Sequence, residues 1–112
     1  MSDGRERRRH KRIAVTWPGE AQTTVDESAT VEIVNVSEDG LGIVSQSPMR
    51  PGERYRFKFA GWAQEPVDGV VRWSEVGKAQ TYAGIEFESP TLAQSLALRE
   101  LIGRYDKEDW GV

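Results

Sequence analysis

Six short apolar runs, each closed by turn residues, constrain the fold of this chain more than any other feature of its sequence. In the run from Tyr55 to Phe59, three aromatic side chains alternate with two basic ones, which is typical of a strand with one buried face. The other runs cover residues 13–17, 30–36, 41–44, 67–73 and 81–87. We expect the first strand to begin with residues 13–17 and to be interrupted at Pro18-Gly19. Because no helix alternates with these strands, the pattern predicts a closed or nearly closed six-stranded antiparallel β-barrel.

The last part of the chain changes to a helical period. Ser89 is the predicted N-cap, and Pro90 takes the first helical position. The residues that follow form a broad apolar stripe: Leu92, Leu96, Leu98, Leu101, Ile102 and Tyr105. We expect this helix to pack on the barrel, with an exposed dimerising face as the alternative. The predicted fold class is therefore all-β with a C-terminal helix.

Charge divides the chain into a basic arm and an acidic body. Residues 1–12 carry six basic and two acidic side chains, a net of +4, whereas residues 13–112 carry nine and sixteen, a net of −7. The predicted organisation is an arm at 1–12, a barrel with its helix at 13–106, and a tail at 107–112. A cationic arm on an anionic body suits capture of a small anion better than binding of a nucleic acid polymer, which usually needs a basic folded surface. The alternative is an arm that only aids solubility.

The residue inventory argues against several classes of protein. There is no cysteine, which removes disulfides, thiolate nucleophiles and cysteine metal sites, and is compatible with a cytoplasmic location. No apolar run is long enough to span a bilayer, so we expect no membrane insertion. His10 is the only histidine, and no phosphate loop or zinc-protease pattern is present. We therefore expect a binding module without a metal or cofactor, not an enzyme.

Two motifs carry the chemistry. The first is Arg8-x-x-x-Arg12, inside a cluster that also holds Arg7 and Arg9. Arginine forks bind phosphate bidentately and read the O6 and N7 acceptors of guanine. The second motif is Asn35-x-Ser37-x-x-Gly40. Asn35 and Ser37 can bond a ligand while fixing their own turn, and Gly40 permits a positive φ. Taken alone, residues 35–40 also fit an ordinary hairpin turn.

Together the two motifs resemble those of the PilZ domain family. The resemblance extends to the Gly-Leu-Gly-Ile stretch after the turn, to Val70-Val71-Arg72-Trp73, to Gly84-Ile85-Glu86-Phe87, and to the terminal helix. It implies a PilZ-type β-barrel that binds cyclic di-GMP, with the arm closing over the ligand and a downstream protein reading the result. The family takes either one ligand molecule or an intercalated pair. Because another cation, Arg7, precedes the first motif arginine, we expect the pair.

Trp73 is a candidate stacking platform for a guanine base, with a core or barrel-rim tryptophan as the alternative. In a regular strand Arg72 would point to the opposite face from Trp73, so the two should not line one site. The predicted ligand-binding residues are Arg7, Arg8, Arg9, Arg12, Asn35, Ser37, Gly40 and Trp73. Two rival functions remain: a PilZ-fold adaptor that needs no ligand, and a nucleic-acid-binding barrel with a basic arm.

Overall fold

The described part of the chain folds into six strands followed by one helix. This fold is known from a computed structural model that describes residues 12–23 and 27–105. The strands are β1 (Ile13–Gln22), β2 (Ser28–Ser37), β3 (Gly40–Ser45), β4 (Arg54–Phe59), β5 (Val67–Val76) and β6 (Thr81–Phe87), and the helix is α1 (Leu92–Tyr105). The predicted arm (apart from Arg12) and the predicted tail lie outside the described residues.

The strands close into a barrel in the order β1-β2-β3-β6-β5-β4, and β4 pairs back onto β1. Every neighbouring pair is antiparallel, so the predicted six-stranded antiparallel barrel is confirmed. The predicted interruption of the first strand at Pro18-Gly19 is wrong, because β1 runs through both residues to Gln22. Pro18 is tolerated because its missing N–H falls just outside the β1–β4 ladder, which begins at Gly19, while its carbonyl accepts a hydrogen bond from Ala60 N at 3.1 Å.

The barrel interior is filled by alternate residues of all six strands. Phe57 and Ile33 are the largest side chains that are fully buried, and β3 adds Leu41 and Ile43. Burying one such side chain stabilises the fold by about 1.5–3 kcal/mol. The alternation read from the sequence therefore places its apolar residues on the core side.

Helix α1 packs against the barrel end that carries the β2–β3 turn and the β4–β5 loop. Its buried apolar residues are Leu98, Leu101 and Ile102, whereas Leu92 and Leu96 are exposed. At the end of the helix Tyr105 meets Trp17 edge-on, with ring centroids 5.4 Å apart. The predicted packing of the helix on the barrel is thus confirmed, although Leu92 and Leu96 of the predicted stripe do not take part in it.

The predicted N-cap Ser89 and the predicted first helical position of Pro90 are both wrong, because the helix begins at Leu92 and Thr91 is its N-cap. Thr91 Oγ1 accepts a hydrogen bond from Gln94 N at 3.0 Å, and Gln94 Oε1 accepts one from Thr91 N at 2.9 Å. This reciprocal pair is a capping box, in which a threonine and a glutamine three residues later satisfy two free N–H groups. Gln94 Nε2 also donates to the carbonyls of Glu65 and Pro66, which fixes the start of the helix to the loop between β4 and β5.

Candidate functional site

The two sequence motifs meet at the start of β1. Arg12 Nη1 donates a hydrogen bond to Asn35 Oδ1 at 2.6 Å, across 23 residues of sequence. The β1–β2 register explains this contact, since Ala14 is the Cα partner of Asn35 and Ile13 is the partner of Val36. Strand pairing therefore brings the last arginine of the first motif onto the first residue of the second. Arg7, Arg8 and Arg9 lie outside the described residues.

Ser37 and Gly40 shape the hairpin turn that joins β2 to β3. Ser37 is fully buried, and its hydroxyl donates to Asp39 Oδ1 and accepts from Asp39 N at 3.3 Å. A serine bonded in this way to the residue two positions later stabilises the turn itself. The Ser37 side chain is therefore engaged by the turn.

The role expected for Gly40 in the turn is corrected. Among the described residues, glycines with positive φ are Gly52 and Gly61, so Gly40 has no left-handed backbone. Instead, Gly40 lies so close to β6 that an added Cβ would be 2.1 Å from the carbonyl oxygen of Ile85. The position requires glycine because two strands approach closely, not because the chain reverses there.

Asn35 and Trp73 lie at the two ends of one row across four strands. Asn35 on β2 is the Cα partner of Gly42 on β3. Gly42 is in turn the partner of Gly84 on β6, and Gly84 is the partner of Trp73 on β5. A Cβ added to Gly42 would be 2.3 Å from Asn35 Nδ2, and one added to Gly84 would be 2.1 Å from Trp73 Nε1. The Asn35 amide and the Trp73 indole thus lie directly over the two glycines, on the outer surface of the barrel.

This arrangement makes Trp73 a surface residue beside the motifs, not part of the core. Its side chain is 52% exposed although its pyrrole ring covers Gly84. An indole that lies on the barrel with one face open can stack with a flat base. We call the surface formed by Arg12, Asn35, Gly42, Gly84 and Trp73 the candidate patch. Sequence reasoning missed the two glycines, although both lie in the stretches that resemble the family.

A β-bulge turns Arg72 and Trp73 to the same side of β5. The β5–β6 register shifts between Val71 and Trp73, and both Arg72 and Trp73 are exposed. The expectation that Arg72 points away from Trp73 is therefore wrong, because it assumed a regular strand. Arg72 Nε donates to Glu86 Oε1 on the outer face of β6, so this ion pair borders the candidate patch. Bulges often redirect side chains near functional sites in this way.

A second ion pair connects the motif turn to the helix. Arg99 on α1 contacts Glu38 Oε1 through Nε and Nη2, both at 3.3 Å. Glu38 is a turn residue between Ser37 and Gly40. The ion pair therefore links the turn to the middle of the helix.

A cleft of about 310 Å³ on the β4–β5 side is a weaker candidate for an anion site. Its two arginines already face carboxylates, since Arg54 Nε lies 2.9 Å from Glu88 and Arg56 Nε lies 3.3 Å from Asp68. The hydrogen bond and the charge of Glu88 raise the pKa of Arg54. The cleft therefore offers little net positive charge to a dianion.

Tyr55 in the same cleft is linked to Glu53. Its hydroxyl donates to Glu53 Oε1 at 2.9 Å. Burial, together with this bond, raises the pKa of Tyr55 to about 12. The pKa of Glu53 is lowered, first by the hydrogen bond from the Arg50 backbone and then by the one from Tyr55.

The part of the chain that the structure describes has neither a metal-binding cluster nor a membrane-spanning helix. Residues 12–23 and 27–105 hold no group of three or more histidine, cysteine or acidic side chains that could bind a metal ion. Over the same residues, no helix has the length and apolar character needed to cross a bilayer.

Comparison with known proteins identifies the family. The model of the PilZ domain matches residues 6–104. The PilZ domain of YcgR from Escherichia coli, solved with c-di-GMP, is 15% identical with a TM-score of 0.74, and the match covers 91% of this chain and 93% of that one. The structure of YcgR in complex with c-di-GMP is 15% identical with a TM-score of 0.76, and the match covers 91% of this chain and 47% of that one. MotI/DgrA of Bacillus subtilis, an inhibitor of motility, is 16% identical with a TM-score of 0.74, and the match covers 91% of this chain and 52% of that one.

These structural matches show a shared fold, and this chain spans about half the length of YcgR and MotI/DgrA. A comparison with curated protein sequences gives no match. The family match covers most of the chain and includes both motifs, the candidate patch and nearly all of the helix. The chain belongs to the PilZ domain family.

Proposed function

We propose that this PilZ domain is a cyclic di-GMP receptor whose ligand binds on the candidate patch. The observation that carries the proposal is the 2.6 Å hydrogen bond between Arg12 and Asn35, which joins the two family motifs at one surface. YcgR, which shares the fold, was solved with c-di-GMP. Membership of the family and the geometry of the patch support the same ligand.

The side chains of the patch complement the chemistry of this ligand. Cyclic di-GMP carries two phosphodiester anions and two guanine bases. Arg12 is exposed, and its bond to Asn35 uses one of its terminal nitrogens, so the guanidinium can still donate to a phosphate or to guanine O6 and N7. The open face of Trp73 can stack with a base, an interaction worth about 1–3 kcal/mol.

We propose that the arm provides the phosphate contacts that Arg12 does not make. Arg7, Arg8 and Arg9 would contact the ligand from the side opposite the barrel as residues 1–12 fold over it. Fixing a residue costs on the order of 1–2 kcal/mol, and a charge-assisted hydrogen bond contributes about 1.5–3 kcal/mol. Several arginines are therefore needed for closure to be favourable, which fits a cluster of four.

Ser37 and Gly40 support the site through the turn. Since the Ser37 hydroxyl is bonded to Asp39, a direct contact of Ser37 with the ligand requires Asp39 to release it. We propose that this exchange accompanies binding, and that the Glu38–Arg99 ion pair passes the change to helix α1. We propose that a downstream protein in the cytoplasm recognises this surface. In this proposal the domain itself catalyses no reaction.

Calorimetric titration of the purified chain with cyclic di-GMP tests the proposal. We expect micromolar or tighter binding, with two nucleotides per chain if the ligand binds as an intercalated pair. Arg12→Ala and Asn35→Ala should each weaken binding by roughly 10- to 100-fold, as loss of a hydrogen bond to a charged group implies. Arg56→Ala is the matched control, because Arg56 is also an exposed arginine and lies in an ion pair outside the patch.

A folded wild-type chain that shows no binding at micromolar concentrations would refute the receptor function. A stoichiometry of one nucleotide per chain would refute only the ligand pair.

The second candidate function is a PilZ-fold adaptor that works without ligand. The observation that favours it is the buried Ser37, whose hydroxyl serves the turn. If the chain is such an adaptor, we expect the double variant Arg8→Ala and Arg12→Ala to bind its partner protein as the wild type does. A nucleic-acid-binding barrel is disfavoured by the net charge of −7 on residues 13–112, and it predicts steeply salt-dependent binding to DNA or RNA.

A further inference from the structure

Glu86 and Arg72 place a carboxylate and a guanidinium side by side at the edge of the candidate patch. Glu86 follows Gly84 by two residues on the outward face of β6, which is about 7 Å along the strand. Glu86 is also the Cα partner of the motif residue Gly40. Arg72 directly precedes Trp73 and donates to Glu86 through Nε. The pair thus lies between the motif turn and the stacking tryptophan.

A carboxylate at this position repels a ligand that carries two phosphodiester charges, unless it faces a group that donates hydrogen bonds. An ionised carboxylate only accepts hydrogen bonds, and a guanidinium only donates them. In the contact with Glu86, Arg72 uses Nε, so its two terminal nitrogens remain to donate elsewhere. The pair therefore presents an acceptor next to donors.

Guanine has the complementary edge. Its O6 accepts, while its N1–H and N2–H₂ groups donate, and all three lie in one line on the Watson–Crick edge. Adenine carries an amino donor where guanine has O6, and an unprotonated acceptor at N1. A base that stacks on Trp73 with this edge toward Glu86 can bridge the separation of about 7 Å along the strand. Adenine in the same place would meet a mismatch at both positions.

On the basis of the proposed function, we infer that Glu86 and Arg72 determine the specificity of the patch for guanine. Glu86 accepts from N1–H and N2–H₂ of the stacked base, and Arg72 donates to O6 while it holds the Glu86 carboxylate in position. The bulge at residues 71–73 is what makes this possible, because a regular strand would turn Arg72 away from Trp73.

The test compares the affinities of wild-type and variant chains for cyclic di-GMP and cyclic di-AMP by calorimetry. Glu86→Gln should weaken cyclic di-GMP binding by about 10- to 100-fold, the range expected for loss of a bidentate base contact, without weakening cyclic di-AMP binding. Arg72→Gln should lower the ratio of the affinity for cyclic di-GMP to the affinity for cyclic di-AMP, because the contact with O6 is lost. The matched control is Glu88→Gln, since Glu88 is also ion-paired on the surface, to Arg54 at 2.9 Å, and lies outside the patch.

Melting temperatures should stay close to that of the wild type, because exposed ion pairs contribute little to stability. The inference is overturned if Glu86→Gln keeps the wild-type affinity ratio, or if it weakens both nucleotides equally, as a purely structural role would. Wild-type chain that binds neither nucleotide refutes the proposed function itself, and this inference with it.

Discussion

Substitution of Gly40 by alanine tests the structural reason for the motif glycine. An added Cβ would be 2.1 Å from Ile85 O and 3.2 Å from the Ile85 carbonyl carbon, and both are backbone atoms that no side-chain rotation can move. Ordinary C···O contacts are no closer than about 3.3 Å, so β3 and β6 must separate by about 1.2 Å at this position. That separation also strains the neighbouring hydrogen bond from Phe87 N to Asp39 O, which is 2.9 Å long.

The expected cost of Gly40→Ala is about 2–4 kcal/mol. Overpacking contributes about 1–3 kcal/mol, and the lost backbone hydrogen bond contributes about 1 kcal/mol. For a domain of this size, the melting temperature should fall by roughly 10–30 °C. Circular dichroism of thermal unfolding measures this directly.

Gly52→Ala is the matched control for Gly40→Ala. Gly52 has a φ of 93°, and an added Cβ would find no atom within 4 Å. Its cost is therefore limited to the strain of a left-handed alanine, about 1–2 kcal/mol. If Gly40→Ala destabilises the fold no more than Gly52→Ala does, the close approach of β3 and β6 is not the reason for the motif glycine.

Three further predictions concern other parts of the molecule. Gly84→Ala should displace the exposed Trp73 indole from the barrel and shift its fluorescence to longer wavelength, with modest loss of stability; unchanged emission would contradict the contact. Thr91→Ala removes the oxygen that caps α1 and should cost about 0.5–2 kcal/mol in urea unfolding, whereas Thr91→Ser should cost less; equal losses would contradict the capping box. Tyr55→Phe should remove the tyrosine that ionises near pH 12 in an ultraviolet titration. Because the folded-state pKa of Tyr55 is raised, its contribution to stability is complete below about pH 10 and is lost toward pH 12, so the stability difference between wild type and Tyr55→Phe should shrink over that range.

The general architecture was predictable because period-2 alternation reports directly which face of a strand is buried. Phe57 and Phe59 face the core as their spacing indicates, and the terminal helix exists where the period changes. An interruption of the first strand was wrongly predicted because Pro18 and Gly19 are usual turn residues. Whether a proline ends a strand depends on its place in the ladder, which the sequence does not display.

The candidate patch was only partly predictable. Asn35 and Arg12 were found from their motifs, but their contact depends on the β1–β2 register. The role of Gly42 and Gly84 depends on which side chains cross them from neighbouring strands, and the position of Arg72 depends on a bulge. The local spacing of residues in the sequence shows neither which side chains cross the two glycines nor where a strand contains a bulge. The cap was misplaced because Ser89-Pro90 and the Thr91–Gln94 capping box are both plausible starts, and only the hydrogen bonds separate them.

The most direct test of the account is a nuclear magnetic resonance titration of the ¹⁵N-labelled chain with cyclic di-GMP. We expect the largest chemical-shift changes at the backbone amides of Asn35, Gly42 and Gly84 and at the indole N–H of Trp73. Shifts confined to the cleft around Tyr55, or no shifts at saturating nucleotide, would contradict it.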